Sequence, residues 1–99
     1  MKNILLYLIS GTRGGETRGR IIALLKETPM NAHRIANFLG LDYKTVTHHL
    51  RVLEKNGLVE ILKKGNYGAM YFLSHELEMN YDEFKTIWKK FGKDSGKSY

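Results

Sequence analysis

Between Thr17 and Thr28 the apolar residues Ile21, Ile22, Leu24 and Leu25 recur at helical spacing. Thr17 is a candidate N-cap and Pro29 bars continuation, so the pattern predicts a helix over 17–28. Asn31 can cap a second helix in which Ala32, Ile35, Ala36 and Leu39 share a face, and Gly40 supplies a left-handed stop. Asp42 caps a third, where Val46, Leu50 and Leu53 at i, i+4 and i+7 face inward and Asn56-Gly57 end it. Residues 58–63 and 69–73 are rich in β-branched and aromatic side chains around Lys64-Gly-Asn-Tyr-Gly68, which predicts a hairpin. Asn80 is placed to cap a last helix with Asp82 and Glu83 in its first turn, Lys89 and Lys90 in its last and Gly92 beyond, as the macrodipole favours. The apolar run 4–9 fits a buried strand or part of a short helix, and we prefer the helix.

Only Gly40-Leu41-Asp42 joins the second and third helices, and so short a glycine-containing turn forces them to cross steeply as a helix-turn-helix. With the hairpin following directly, the expected fold is mainly α with a β-hairpin (α+β): a winged helix-turn-helix with N- and C-terminal flanking helices.

Ninety-nine residues suffice for one modest core, so residues 1–92 are expected to form one domain and 93–99 a flexible tail. The absence of cysteine excludes a disulfide framework and a thiolate site, and suits a reducing cytoplasm. The run 4–9 is far short of the roughly 20 residues of a membrane span, and after Met1-Lys2 it lacks a following small-residue cleavage site, so neither membrane insertion nor export is expected. No glycine-rich phosphate loop, carboxylate pair or nucleophile with its base points to an enzyme, and no cofactor is implied. The net charge of +6 resides in residues 1–73, split evenly between 1–30 and 31–73, while 74–99 is balanced. A polyanion is the natural partner for such a distribution.

The segment Thr45-Val-Thr-His-His-Leu-Arg-Val-Leu-Glu-Lys-Asn-Gly-Leu-Val59 resembles the recognition-helix signature of ArsR-type winged-helix transcriptional regulators. Taken with the preceding helix and the following hairpin, the resemblance covers residues 17–73. It implies a homodimeric DNA-binding repressor or activator. Many members of that family sense metals through recognition-helix cysteines or an Asp/His/His/Glu set on the C-terminal helices, and this chain has neither. His75, Glu76 and Glu78 with His33 could form a carboxylate-rich site, but nothing in the spacing fixes their separation. A metal site is therefore not assigned, and any metal or small-molecule effector stays open.

Independently of the resemblance, Lys44, Thr47, His48 and Arg51 form an outward row on the third helix opposite its core stripe, uninterrupted by an acid. A major groove about 12 Å wide admits such a helix. Arg51 is the candidate for a bidentate guanine contact, and Lys44 suits a base or a phosphate. Tyr43 and Thr45, at the helix start, join the candidate set, with Tyr43 equally able to cover core. His48 and His49 point about 100° apart and cannot share one metal ion, which leaves His48 on the groove face and His49 partly buried among Val46 and Leu53. Asn31 and His33 begin the preceding helix, whose amides could meet a phosphate. Lys63, Lys64, Asn66 and Tyr67 give a cationic hairpin tip suited to backbone or minor groove. Arg13, Arg18 and Arg20 read as an exposed basic helix start.

The stripe Phe84, Ile87, Trp88 and Phe91 is more apolar than a core of this size is expected to bury, so with Ile4, Leu5 and Leu8 it is the candidate dimer interface. The expected function is a DNA-binding transcriptional regulator. As a homodimer it would read a nearly palindromic duplex with helix 43–56 in the major groove and wing 58–73 on the flanking backbone or minor groove. Its partners are double-stranded DNA and a second copy, without a membrane. A winged-helix module for an acidic protein partner is the alternative, and RNA is disfavoured because no sheet of stacking aromatics is evident.

Overall fold

The computed structural model describes residues 1–63 and 68–91. Helix α1 (Lys2–Leu5) runs directly into a wider π-helical segment, Leu6–Ser10, so the N-terminal run is helical. Then follow α2 (Gly15–Glu27), α3 (Ala32–Leu39), α4 (Tyr43–Lys55), β1 (Val59–Lys63), β2 (Ala69–Leu73), α5 (His75–Met79) and α6 (Tyr81–Lys89). The two strands pair antiparallel, with Val59 opposite Leu73 and Lys63 opposite Ala69.

Helix α2 is the centre of the molecule. Its residues Ile21 to Leu25 are all buried, and so are Gly15, Arg18 and Gly19 in its first half. It begins earlier than the apolar pattern suggested, at a left-handed Gly14 with no side-chain cap, so Thr17 lies inside the helix instead of capping it. The added first turn has a packing role. A Cβ at Gly15 would sit 1.8 Å from the carbonyl oxygen of Ile9, and one at Gly19 would sit 2.1 Å from Cζ3 of Trp88. The missing side chains let the N-terminal helix and α6 approach the backbone of α2 directly, a requirement invisible to a search for apolar periodicity.

The helix-turn-helix forms as its local signals dictate. Asn31 accepts the Arg34 amide at 2.9 Å, and Asp42 accepts the Thr45 amide at 3.2 Å and the Thr45 hydroxyl at 2.6 Å. Gly40 takes φ +68°, and the Leu41 amide turns back to the Ala36 carbonyl at 3.0 Å, closing the end of α3. Val46, Leu50 and Leu53 point from α4 into the core.

Two features near the wing were not expected from the sequence. Met30, between α2 and α3, pairs with Tyr71 of β2 through hydrogen bonds of 3.2 and 2.9 Å, adding a one-residue bridge along the free edge of β2. Ser74 caps a separate short helix, α5, by accepting the Leu77 amide at 3.1 Å. Asn80 consequently does not cap α6 with its side chain: its amide donates to the Glu76 carbonyl at 2.8 Å and finishes α5.

The C-terminal aromatic stripe is covered within the chain. Leu5, Leu8, Phe84, Ile87 and Trp88 are all buried, and the Phe84 and Trp88 rings stack with centroids 5.7 Å apart. The chain thus buries Phe84, Ile87 and Trp88 of the stripe by itself and leaves Phe91 partly exposed. The glycine surface of α2 receives Trp88, which the apolar count had not allowed for. Ile4 is half-buried, and Phe91 keeps 36% of its surface.

Replacing Gly19 by Ala should lower stability even though Ala favours a helix by about 1 kcal/mol. Trp88 is boxed in by Phe84 and Phe91 and cannot withdraw freely, so overpacking of about 1–3 kcal/mol or more should dominate. Urea unfolding of Gly19→Ala is expected to show a lower midpoint, and an unchanged or higher one would mean that the indole can yield.

Candidate nucleic-acid interface

Helix α4 presents the row read from its spacing. Lys44, His48 and Arg51 are exposed and Thr47 is half-exposed, while Val46, His49, Leu50 and Leu53 are buried behind them. The Thr47 hydroxyl donates to the Lys44 carbonyl at 3.1 Å, turning its hydrogen toward its own helix and leaving oxygen lone pairs outward. Thr45 is half-buried with its hydroxyl committed to Asp42, so its first role is to hold the start of the helix. Those hydrogen bonds, from the Thr45 hydroxyl first and its amide second, keep the Asp42 carboxyl below its ordinary pKa.

At the start of α4, Tyr43 is 47% exposed and stacks on His33 of α3, with centroids 4.3 Å apart and planes at 20°. The stack places Tyr43 outside the core and joins the beginnings of both helices on one surface. Asn31 spends its side-chain oxygen on the Arg34 amide, so it acts as a cap. In the wing, Lys63 is exposed at the end of β1, and Lys64, Asn66 and Tyr67 lie outside the described residues. Tyr71 of β2 is a neighbour that no local pattern pointed to. Burial raises its phenol pKa, Tyr43 and Glu54 add to the rise, and Arg51 opposes it, so the ring stands beside the outward row.

The arginines at the start of α2 depart from expectation. Arg18 is only 5% exposed. Its Nε donates to the Leu8 carbonyl at 2.9 Å, and its terminal nitrogens reach the Thr12 hydroxyl, the Arg13 carbonyl at 3.1 Å and Nδ1 of His49 at 3.2 Å. Arg20 is half-buried and donates to the Leu39 carbonyl at 3.0 Å. Arg13 alone of the three stays exposed. Arginine carries a long apolar stem, which is why it can be drawn into a small core when carbonyls are available to its head.

His49 is buried as the spacing implied, and its ring meets His48 edge-on at 5.1 Å without sharing its exposure. Among the described residues no group of three or more His, Asp or Glu side chains is arranged to hold a metal ion, so His33, His75, Glu76 and Glu78 do not converge. No helix among them is long and apolar enough to cross a membrane.

A helix-turn-helix carrying an outward basic row, followed directly by an antiparallel hairpin, defines a winged helix-turn-helix protein. Residues 15–60 match the profile of bacterial regulatory proteins of the arsR family. Solved structures agree in fold. Reduced HlyU from Vibrio cholerae superposes with a TM-score of 0.66 at 20% identity, covering 88% of each chain. Diamide-treated YodB from B. subtilis gives 0.68 at 23% identity, covering 91% of this chain and 89% of its own. NadR in complex with 4-hydroxyphenylacetate gives 0.59 at 24% identity, covering 91% of this chain and 67% of its own. The family is one of DNA-binding transcriptional regulators and not of enzymes.

The environment of His49 carries a pH signature. Burial chiefly, and then the charges of Arg18 and His48, lower its pKa below the ordinary 6.5. The unfolded chain therefore binds a proton at this site more readily than the folded one. The stability contribution is complete above about pH 6.5 and is lost as pH falls toward the lower folded value. Melting temperature should drop on acidification from pH 7 to 5 more steeply in the parent protein than in His49→Gln, and parallel curves would contradict this assignment.

Proposed function

We propose that the protein is a cytoplasmic homodimeric transcriptional regulator that reads a nearly palindromic duplex. Helix 43–56 enters the major groove and wing 58–73 lies on the flanking backbone or minor groove. The observation that carries this reading is the uninterrupted exposed row Lys44, Thr47, His48 and Arg51 on a helix whose other face is locked into the core. Arg51 is suited to guanine by its paired donors, Lys44 to a phosphate, and the stacked Tyr43 and His33 to the sugar-phosphate edge. Lys63, with Lys64, Asn66 and Tyr67 beyond it, extends the cationic surface along the wing.

Dimerisation is proposed through the outer faces of the terminal helices. Tyr7 is 60% exposed and Phe91 36% exposed, and Ile4 and Leu6 are half-buried on the same terminal helices or just beyond them. Leu5, Leu8, Phe84, Ile87 and Trp88 support that face from beneath. A two-fold dimer would set the recognition helices on successive grooves about 34–36 Å apart. Any small-molecule or metal effector would act on this arrangement, and no particular effector is assigned.

Anisotropy titrations against a duplex selected from a random pool should show Arg51→Ala costing about 1–3 kcal/mol with relaxed sequence preference. Lys44→Ala should weaken all duplexes alike and flatten the dependence on salt. Equal losses on every sequence for both variants would remove base reading from Arg51, and absence of duplex binding at low salt would favour an acidic protein partner. Light scattering at micromolar concentration should give a dimer that Tyr7→Glu converts to a monomer. A parent protein that is monomeric with and without duplex would refute the dimer.

A further inference from the structure

Beside the recognition helix, where α2 begins, lies a concavity of about 480 Å³ walled by Arg13, Gly14, Arg18, Lys44, His48 and His49. Among the described residues no carboxylate lines it. Asp42, which precedes α4, is engaged by Thr45, and Glu16 in the first turn of α2 is not part of the wall.

The decisive feature is Arg18. As a residue Arg18 keeps only 5% of its surface, and a buried guanidinium ordinarily lies against a carboxylate or other anion, because burying an uncompensated charge costs several kcal/mol. Among the described residues the groups that accept from it are two carbonyls, a threonine hydroxyl and a histidine nitrogen, all neutral. Because His49 Nδ1 accepts from Arg18, the ring proton sits on Nε2, which leaves the imidazole neutral and a donor to its surroundings. Arg13 and Lys44 add two exposed cations at the rim.

We propose that this concavity is a binding site for a phosphate group, held by Arg13 and Lys44 at the rim against the buried charge of Arg18. The phosphate belongs either to a small phosphorylated molecule or to the backbone of a bound duplex. The chemistry of capture is the same for both. A small phosphorylated ligand would compete with DNA, since Lys44 and His48 are common to the concavity and the outward row.

The test uses the full chain with inorganic phosphate and pyrophosphate as probes, titrated at constant ionic strength against chloride. A free phosphorylated ligand predicts a saturable rise in melting temperature and amide shift changes clustered at Gly14, Arg18 and His49. Both should be lost in Arg13→Gln and retained in Arg13→Lys. The side chain of Arg13 is exposed and the Arg18 contact uses its carbonyl, so folding should be unaffected. A duplex backbone as the source predicts no response to either probe. Arg13→Gln should then lower affinity about equally for all duplexes and reduce the slope of log affinity against log salt by about one. If neither probe is bound and Arg13→Gln leaves duplex affinity and salt slope unchanged, the proposal is wrong. Should the protein bind no duplex at all, the phosphate titration still decides, so this outcome is separable from failure of the DNA-binding reading.

Discussion

A single buried guanidinium ties the N-terminal helix, the loop after it and the recognition helix to one another. Arg18 takes a carbonyl from the π-helical segment, a hydroxyl and a carbonyl from the following loop, and a ring nitrogen from α4. Hydrogen bonds from a charged group are each stronger than neutral ones, and a low-dielectric setting makes loss of any partner costly. The wider π turn is compatible with this, because the Leu8 carbonyl faces α2 and receives Nε. The orientation of α4, and with it the direction of the basic row, therefore depends on an interaction that lies behind the interface.

The packing around α2 obeys a second constraint, set by what two positions lack. Gly15 and Gly19 open its surface to the Ile9 backbone and the Trp88 ring, so helices from both ends of the chain dock on the same element. Large aromatic residues then fill the gap, with Tyr81, Phe84 and Trp88 of α6 and Phe91 just beyond it in successive ring contact. The exposed ion pair between Lys26 and Glu78, at 2.6 Å, adds little by comparison, because solvent screens it.

What could be read from the sequence were the features governed by local rules. The caps at Asn31 and Asp42, the stop at Gly40, the stripe of α4 and the hairpin all depend on residues within a few positions of one another, and the outward row followed from the same period. Long-range partners left no such trace. Arg18 looked like a surface charge because its acceptors lie outside its own helix, five to thirty-one residues away, and Tyr71 reaches the recognition helix only through the fold. Asn80 was legible as a capping residue but not as to which helix it serves, since α5 and α6 abut there. The wing tip at Lys64, Asn66 and Tyr67 lies outside the described residues.

The single rung between Met30 and Tyr71 has a bearing on how the molecule meets a partner. It fastens the hairpin to the segment just before the helix-turn-helix, so the base of the wing and the two crossing helices share one rigid frame. The entropy of ordering these parts relative to each other is lost during folding and not at the moment of association. A surface assembled in this way selects among partners by their fit to a spacing already set, and has little freedom to mould itself to those that do not match.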